Sequence, residues 1–177
     1  MTVARELTKR SAEAAIAADS KENAAIWWEN AALRKAASGN TAQALQDAAE
    51  GLKLAPESQG VGVEAALAYA MVSDNRRARF VADGLDKRFP LDTPVQSLWL
   101  PAIRAQLALN RTSPAEALRV LQAVESPMEY GTILFTNNPS CLYPTLSDLS
   151  DLHSGSGLFG FRTRHGSREG IPENHRP

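Results

Sequence analysis

Apolar residues recur along the first two-thirds of the chain at helical spacing. Ala44, Leu45, Ala48, Ala49 and Leu52 follow the i, i+4, i+8 stripe that one buried helix face leaves in a sequence. Short polar breaks and prolines divide this pattern into elements. Asp19-Ser20, Gly39-Asn40 and Ser73-Asp74 read as turns, and Pro56 and Pro90 as stops. The pattern predicts helices over about 3–18, 25–38, 41–54, 59–72, 75–88, 94–110 and 114–124. The last of these has the clearest start: Ser113-Pro114-Ala115-Glu116 joins a capping serine, a proline at the first helical position and a glutamate three residues after the cap. Pro101 lies inside the sixth helix, where it removes a backbone donor, so a bend is expected there.

The elements repeat. An offset of 34 residues aligns Ala32 with Ala66, Gly39-Asn40 with Ser73-Asp74, Ala44 with Ala78, Ala48 with Ala82 and Pro56 with Pro90. Each unit reads as a helix, a tight polar turn, a second helix and a terminating proline. A third unit follows after a five-residue insertion, with Ala117 in the role of Ala44 and Ala78, and Pro127 near the role of Pro56 and Pro90.

Composition sharpens the boundary of this region. The chain has 177 residues, and all 29 of its alanines lie between Ala4 and Ala123, whereas the last 54 residues contain none. Glycine runs the other way, with five in the first 123 residues and six in the remainder. Alanine favours packed helices, while Gly, Ser and Pro favour turns and open chain. The expected organisation is therefore helical repeats over 1–127, an irregular segment over 128–145 and a disordered tail over 146–177.

Charge and hydropathy remove several function classes. Nineteen Lys and Arg balance twenty Asp and Glu for a net charge of −1, which argues against a nucleic-acid binder acting through bulk charge. No apolar run approaches the roughly 18 residues of a membrane-spanning helix, and Met1 to Lys9 lacks the apolar block of a secretory signal. No membrane insertion and a cytoplasmic location are the expectation. A single cysteine, Cys141, leaves no internal disulfide and no four-cysteine zinc site.

The motifs that carry chemistry elsewhere lack their context here. Gly155-Ser-Gly-Leu-Phe-Gly160 has the glycine spacing of a phosphate loop, but only 17 residues follow it, and a working loop needs flanking elements. No His-Arg-Asp or Asp-Phe-Gly string accompanies it, so kinase activity in this chain is not expected. His153, His165 and His175, with Cys141, are spaced too widely for a compact metal site, and Cys141 has no base placed to activate it. Neither catalytic residues, a cofactor nor a metal is therefore expected. Trp27 and Trp28 point about 100° apart on a helix, so one is expected in the core and the other partly exposed. Arg76, Arg77 and Arg79 alternate with Asp74, Asp83 and Asp86, as on a solvated, self-neutralised face. Asn110-Arg111-Thr112 matches a glycosylation acceptor and is assigned to a turn.

Trp28, Ala32, Ala44 and Pro56, at spacings of four, twelve and twelve, resemble a tetratricopeptide repeat. The second unit keeps Ala66, Tyr69, Ala78 and Pro90, without the early tryptophan. In the first, Lys35 stands where an aromatic residue is usual and Gly51 where alanine is usual, so the repeats are degenerate. The likeness spans roughly 22–127. A narrower one lies in the run from Lys87 to Asn110, which is similar to the repeat region C-terminal to the kinase domain in bacterial, especially acidobacterial, eukaryotic-like serine/threonine protein kinases. These resemblances imply an all-α fold of antiparallel helix pairs stacked as an α-solenoid. They imply a non-enzymatic protein-protein interaction module, a fragment of a bacterial signalling protein; the alternative is the regulatory remnant of a serine/threonine kinase without its catalytic domain.

In that register Ile26, Glu29, Leu33, Val63 and Leu67 face a concave surface that receives a protein or peptide partner. The competing assignment for the same five is packing against neighbouring helices. The helix over 114–124 leaves Leu118, Val120 and Leu121 open to self-association unless the Met128–Leu146 segment covers them. In the family that the Lys87–Asn110 run resembles, the pattern continues past Leu142-Tyr143-Pro144 into further alanine-rich helices, whereas in this chain it stops, and Gly170 to Arg176 can be encoded so that the next reading frame gives repeat-like sequence. An out-of-frame translation from about residue 146 accounts for the tail on that basis.

Overall fold

A computed structural model describes residues 2–123, which form seven α-helices and, among these residues, no strand. They are α1 (Thr2–Ala17), α2 (Lys21–Ala37), α3 (Thr41–Leu54), α4 (Gln59–Met71), α5 (Asn75–Arg88), α6 (Leu100–Leu109) and α7 (Pro114–Gln122). The boundaries lie close to those expected, except that α2 starts four residues earlier. The expected segments 128–145 and 146–177, with Pro127, Cys141, the three histidines and the glycine-rich run, lie outside the described residues.

One turn geometry is used four times. Asp19, Gly39, Ser73 and Thr112 adopt left-handed backbone, with φ of 54°, 76°, 63° and 57°. The N–H of the following residue donates to the carbonyl five residues back: Ser20 to Ala15, Asn40 to Lys35, Asp74 to Tyr69 and Ser113 to Ala108, at 2.8 to 3.0 Å. These are Schellman closures, which satisfy the last carbonyls of one helix. That same following residue is the N-cap of the next helix, so the chain reverses with no spare residue. The capping box expected at Ser113 does not form, since Ser113 makes no side-chain cap bond and Glu116 pairs with Arg111 at 2.9 Å.

The five-residue insertion is spread over two places. The link before the third pair, 89–92, has four residues like 55–58, but its first helix runs over 93–109 instead of the thirteen residues 59–71, and its turn has one residue more. Within that helix Val95–Trp99 form a π turn, in which the Leu100 N–H reaches back five residues to the Val95 carbonyl. The expected irregularity at Pro101 therefore falls one turn earlier. Pro101 has no N–H to give the carbonyl four residues back, and the wider turn before it accommodates that loss.

Helices of a pair pack on each other, α2 on α3, α4 on α5 and α6 on α7, and the first helices also pack in series, α2 on α4 and α4 on α6. Each second helix meets the next first helix, α3 with α4 and α5 with α6, while α1 packs chiefly against α2. Side chains tie the series together at both ends. Ser58 Oγ donates to Glu22 at 2.5 Å and Gln59 to Asp92 at 3.1 Å, while Asn110 donates to the Ala70 carbonyl and to Asn75, both at 2.7 Å. Asp86 accepts from Gln96 at 2.9 Å and Arg104 at 2.8 Å, fixing α5 to the π turn and α6; these bonds hold its carboxyl below the usual carboxylate range despite some desolvation.

The core is built from small and aliphatic side chains. Leu67, Leu100, Ile103, Val61, Val63 and Val95 are its largest fully buried apolar members, and all but Val61 share one cluster with alanines of α2 to α5. Helix α4 is enclosed on every side: all residues from Val61 to Ala70 are buried, so its sequence shows no polar face.

Candidate functional site

Helix α2 buries the stripe Ala25, Glu29, Ala32, Leu33 and Ala36, spaced i, i+4, i+7, i+8 and i+11, against α3 and α4. The five residues expected to line a partner surface are placed by this packing. Leu33, Val63 and Leu67 belong to the main apolar core, Glu29 is wholly buried and only Ile26 is half-buried. An open concave face at these positions is thus not what the fold presents, because the first helices close on one another and on α3. The large apolar side chains that do reach solvent are elsewhere: Val3, Leu7 and Ile16 on α1, and Trp27, Phe80 and Leu91, of which Phe80 is 80% exposed and Leu91 94%. Trp28 is half-buried, so neither tryptophan of the pair lies in the core, where one was expected. On α5, Arg77 pairs with Asp74 at 2.8 Å and lies over the Tyr69 ring, while Arg76 and Arg79 face solvent. Leu118, Val120 and Leu121 are half-buried against Ala105 and Ala108 of α6, rather than bare.

The unexpected site is a buried acidic cluster where α2, α3 and α4 meet. Glu29 is 0% exposed and neither carboxyl oxygen has a hydrogen-bond partner. Its space exists because position 51 is glycine. A Cβ there would stand 2.8 Å from Glu29 Cδ and 3.0 Å from Cγ, and closer still to Oε1. Nearby, Asp47 of α3 forms an ion pair with Lys35 of α2, both largely buried. Glu64 of α4 is also buried, with Oε2 unpartnered. Removal from water disfavours the charged form of a carboxyl and pushes its pKa up. Burial, with repulsion from Glu64 and then Asp47, holds Glu29 well above the usual carboxylate range. Burial pushes Glu64 up to about 8 against the attraction of Arg34. Tyr69, beside them, is raised by burial first, with Arg77 opposing that effect.

This cluster carries a signal in the sequence. Glu29 and Asp47 sit on stripes otherwise filled by alanine and leucine, and Glu64 interrupts the run Val61-Gly-Val-Glu-Ala-Ala-Leu-Ala-Tyr-Ala70. The glycine at 51, a departure from the repeat pattern, faces the first of the three. Enclosed by helices, Glu29 can bind a proton but touches no solute. Among the described residues no group of three or more His, Cys, Asp or Glu is placed to hold a metal ion, and no helix is long and apolar enough to cross a membrane. The Asn110 amide is engaged by Ala70 and Asn75 in the turn between α6 and α7. Comparisons with protein-family models, with curated proteins and with solved structures returned no match.

Proposed function

We propose that residues 1–127 are an α-solenoid fragment of degenerate tetratricopeptide-like repeats, working as a non-enzymatic protein-protein interaction module of a bacterial signalling protein. The observation that supports it most is the recurrence of one helix pair with one turn. The same left-handed closure and the same packing of first helix on first helix appear at successive units. Repeats of that kind expose an extended surface of rigid helices, and rigid helices bearing isolated exposed rings suit a protein or peptide ligand. Trp27 and Phe80 are the anchors this surface offers, in place of the buried Leu33, Val63 and Leu67. Selection of a helical-peptide library against the full chain tests the proposal. Enriched peptides should bind in solution with micromolar or better affinity and lose at least fivefold on Trp27→Ala or Phe80→Ala. Enrichment no greater than on an unrelated alanine-rich helical protein refutes it.

The alternative, a regulatory remnant of a serine/threonine kinase acting with a catalytic domain encoded elsewhere, rests on the Lys87–Asn110 run, which forms the end of α5, the link, the π turn and α6. Sequencing the flanking DNA separates the two: an adjacent frame with kinase motifs supports the remnant, and its absence supports a free-standing module.

A further inference from the structure

Three carboxyl groups meet at the junction of α2, α3 and α4, and only one of them, Asp47, is held in an ion pair. Asp47 has Lys35, and Glu64 has the attraction of Arg34. Glu29 has no cation, no hydrogen bond and no exposure, and its neighbours in charge are the other two acids. The remaining elements offer it no counter-charge. On α4, Tyr69 is neutral and covered by Arg77 of α5, itself paired with Asp74; the side of α1 turned inward carries Thr8, Ser11, Ala12 and Ala15. A buried ion without a partner is the costliest arrangement a core can hold, so the packed state requires Glu29 to be protonated.

We propose that the junction is a proton-operated latch: neutral Glu29 lets α3 close on α2 at Gly51, and ionisation of Glu29, with its proton passing to water, lifts that end of α3 away. The module is thereby sensitive to pH above the ordinary carboxylate range although none of its described residues is histidine, the three in the chain standing at 153, 165 and 175. The latch does not depend on what the outer surface binds.

The sign of the effect is fixed by the direction of the shift. Glu29 and Glu64 keep protons in the folded chain that the unfolded chain gives up above about 4.5, so stability present in acid is lost as pH rises through the raised values, for Glu64 about 8. For each proton held in excess, the unfolding constant rises about tenfold per pH unit. The test is urea unfolding of the full chain between pH 5 and 8.5 for the parent, Glu29→Gln and Glu64→Gln, with amide exchange and the carboxyl carbon shift of Glu29 read by NMR. Each glutamine variant should lose about one proton's worth of slope, and protection over Ala48–Leu52 should fall with pH while that over Ile103–Leu107 holds. Superimposable profiles for parent and Glu29→Gln overturn the latch. If Glu29→Gln fails to fold, the parent's carboxyl shift decides alone: titration at the ordinary carboxylate pH overturns the latch, and titration well above it supports the latch.

Discussion

Replacing Gly51 by alanine sets two opposing effects against each other inside one helix. Alanine is favoured over glycine in a helix interior by roughly 1 kcal/mol. The new methyl, however, lands 2.8 Å from Glu29 Cδ in a site with no exposure, and overpacking of a core costs typically about 1–3 kcal/mol. The single substitution should therefore be neutral to destabilising by about 2 kcal/mol, although propensity alone says it stabilises. Glu29→Ala removes the obstruction and opens the space the methyl then occupies. In that background Gly51→Ala should stabilise by about 1 kcal/mol or more, giving a coupling of about 1–3 kcal/mol across the cycle. Urea unfolding at pH 5, followed by far-UV circular dichroism, measures all four corners; the low pH keeps Glu29 neutral, so that packing and not ionisation is read. Coupling below about 0.5 kcal/mol, the usual scatter for independent sites, refutes the account of why glycine stands at 51.

The rest follow from burial and backbone geometry. Leu67→Ala, in the centre of α4, should cost about 2–5 kcal/mol by thermal or urea unfolding, whereas Phe80→Ser should stay within about 0.5 kcal/mol. Comparable losses at the two sites would show the burial pattern to be wrong. Asn110→Ala strips the Ala70 carbonyl and Asn75 of a shared partner and should destabilise by about 1–3 kcal/mol, with exchange increased first at the α6–α7 turn. Thr112→Gly relieves a β-branched residue at φ 57° and should raise the melting temperature, by an amount worth up to about 1 kcal/mol, while Gly39→Ala at φ 76° should lower it.

Most helix boundaries were legible because they are written locally. The breaks at Gly39-Asn40 and Ser73-Asp74, the prolines at 56 and 90, and the alanine stripes each depend on a few neighbouring residues. The π turn was not legible as such, since Pro101 announces a lost hydrogen bond but not which neighbouring turn absorbs it. Nor was the fate of the supposed surface residues. Leu33, Val63 and Leu67 satisfy the spacing of a lining position and of a core position equally, and only the closeness of α2, α4 and α6 decides between them. Glu29 was assigned to the partner surface by the register of the repeat, which does not tell a lining position from a buried one. The countervailing clue was not at 29 at all but on the next helix, in the glycine that leaves room for its carboxyl.

The enclosure of α4 also sets how the molecule comes apart. Helix α1 is held chiefly by α2, and α7 by α6, so either end can fray while the middle stays intact. Helix α4, held by α2, α3, α5 and α6, cannot open until several of its neighbours have gone. It is the keystone of the array: damage at the ends is local and reversible, whereas a fault in those ten buried residues propagates both ways and takes the whole structure with it.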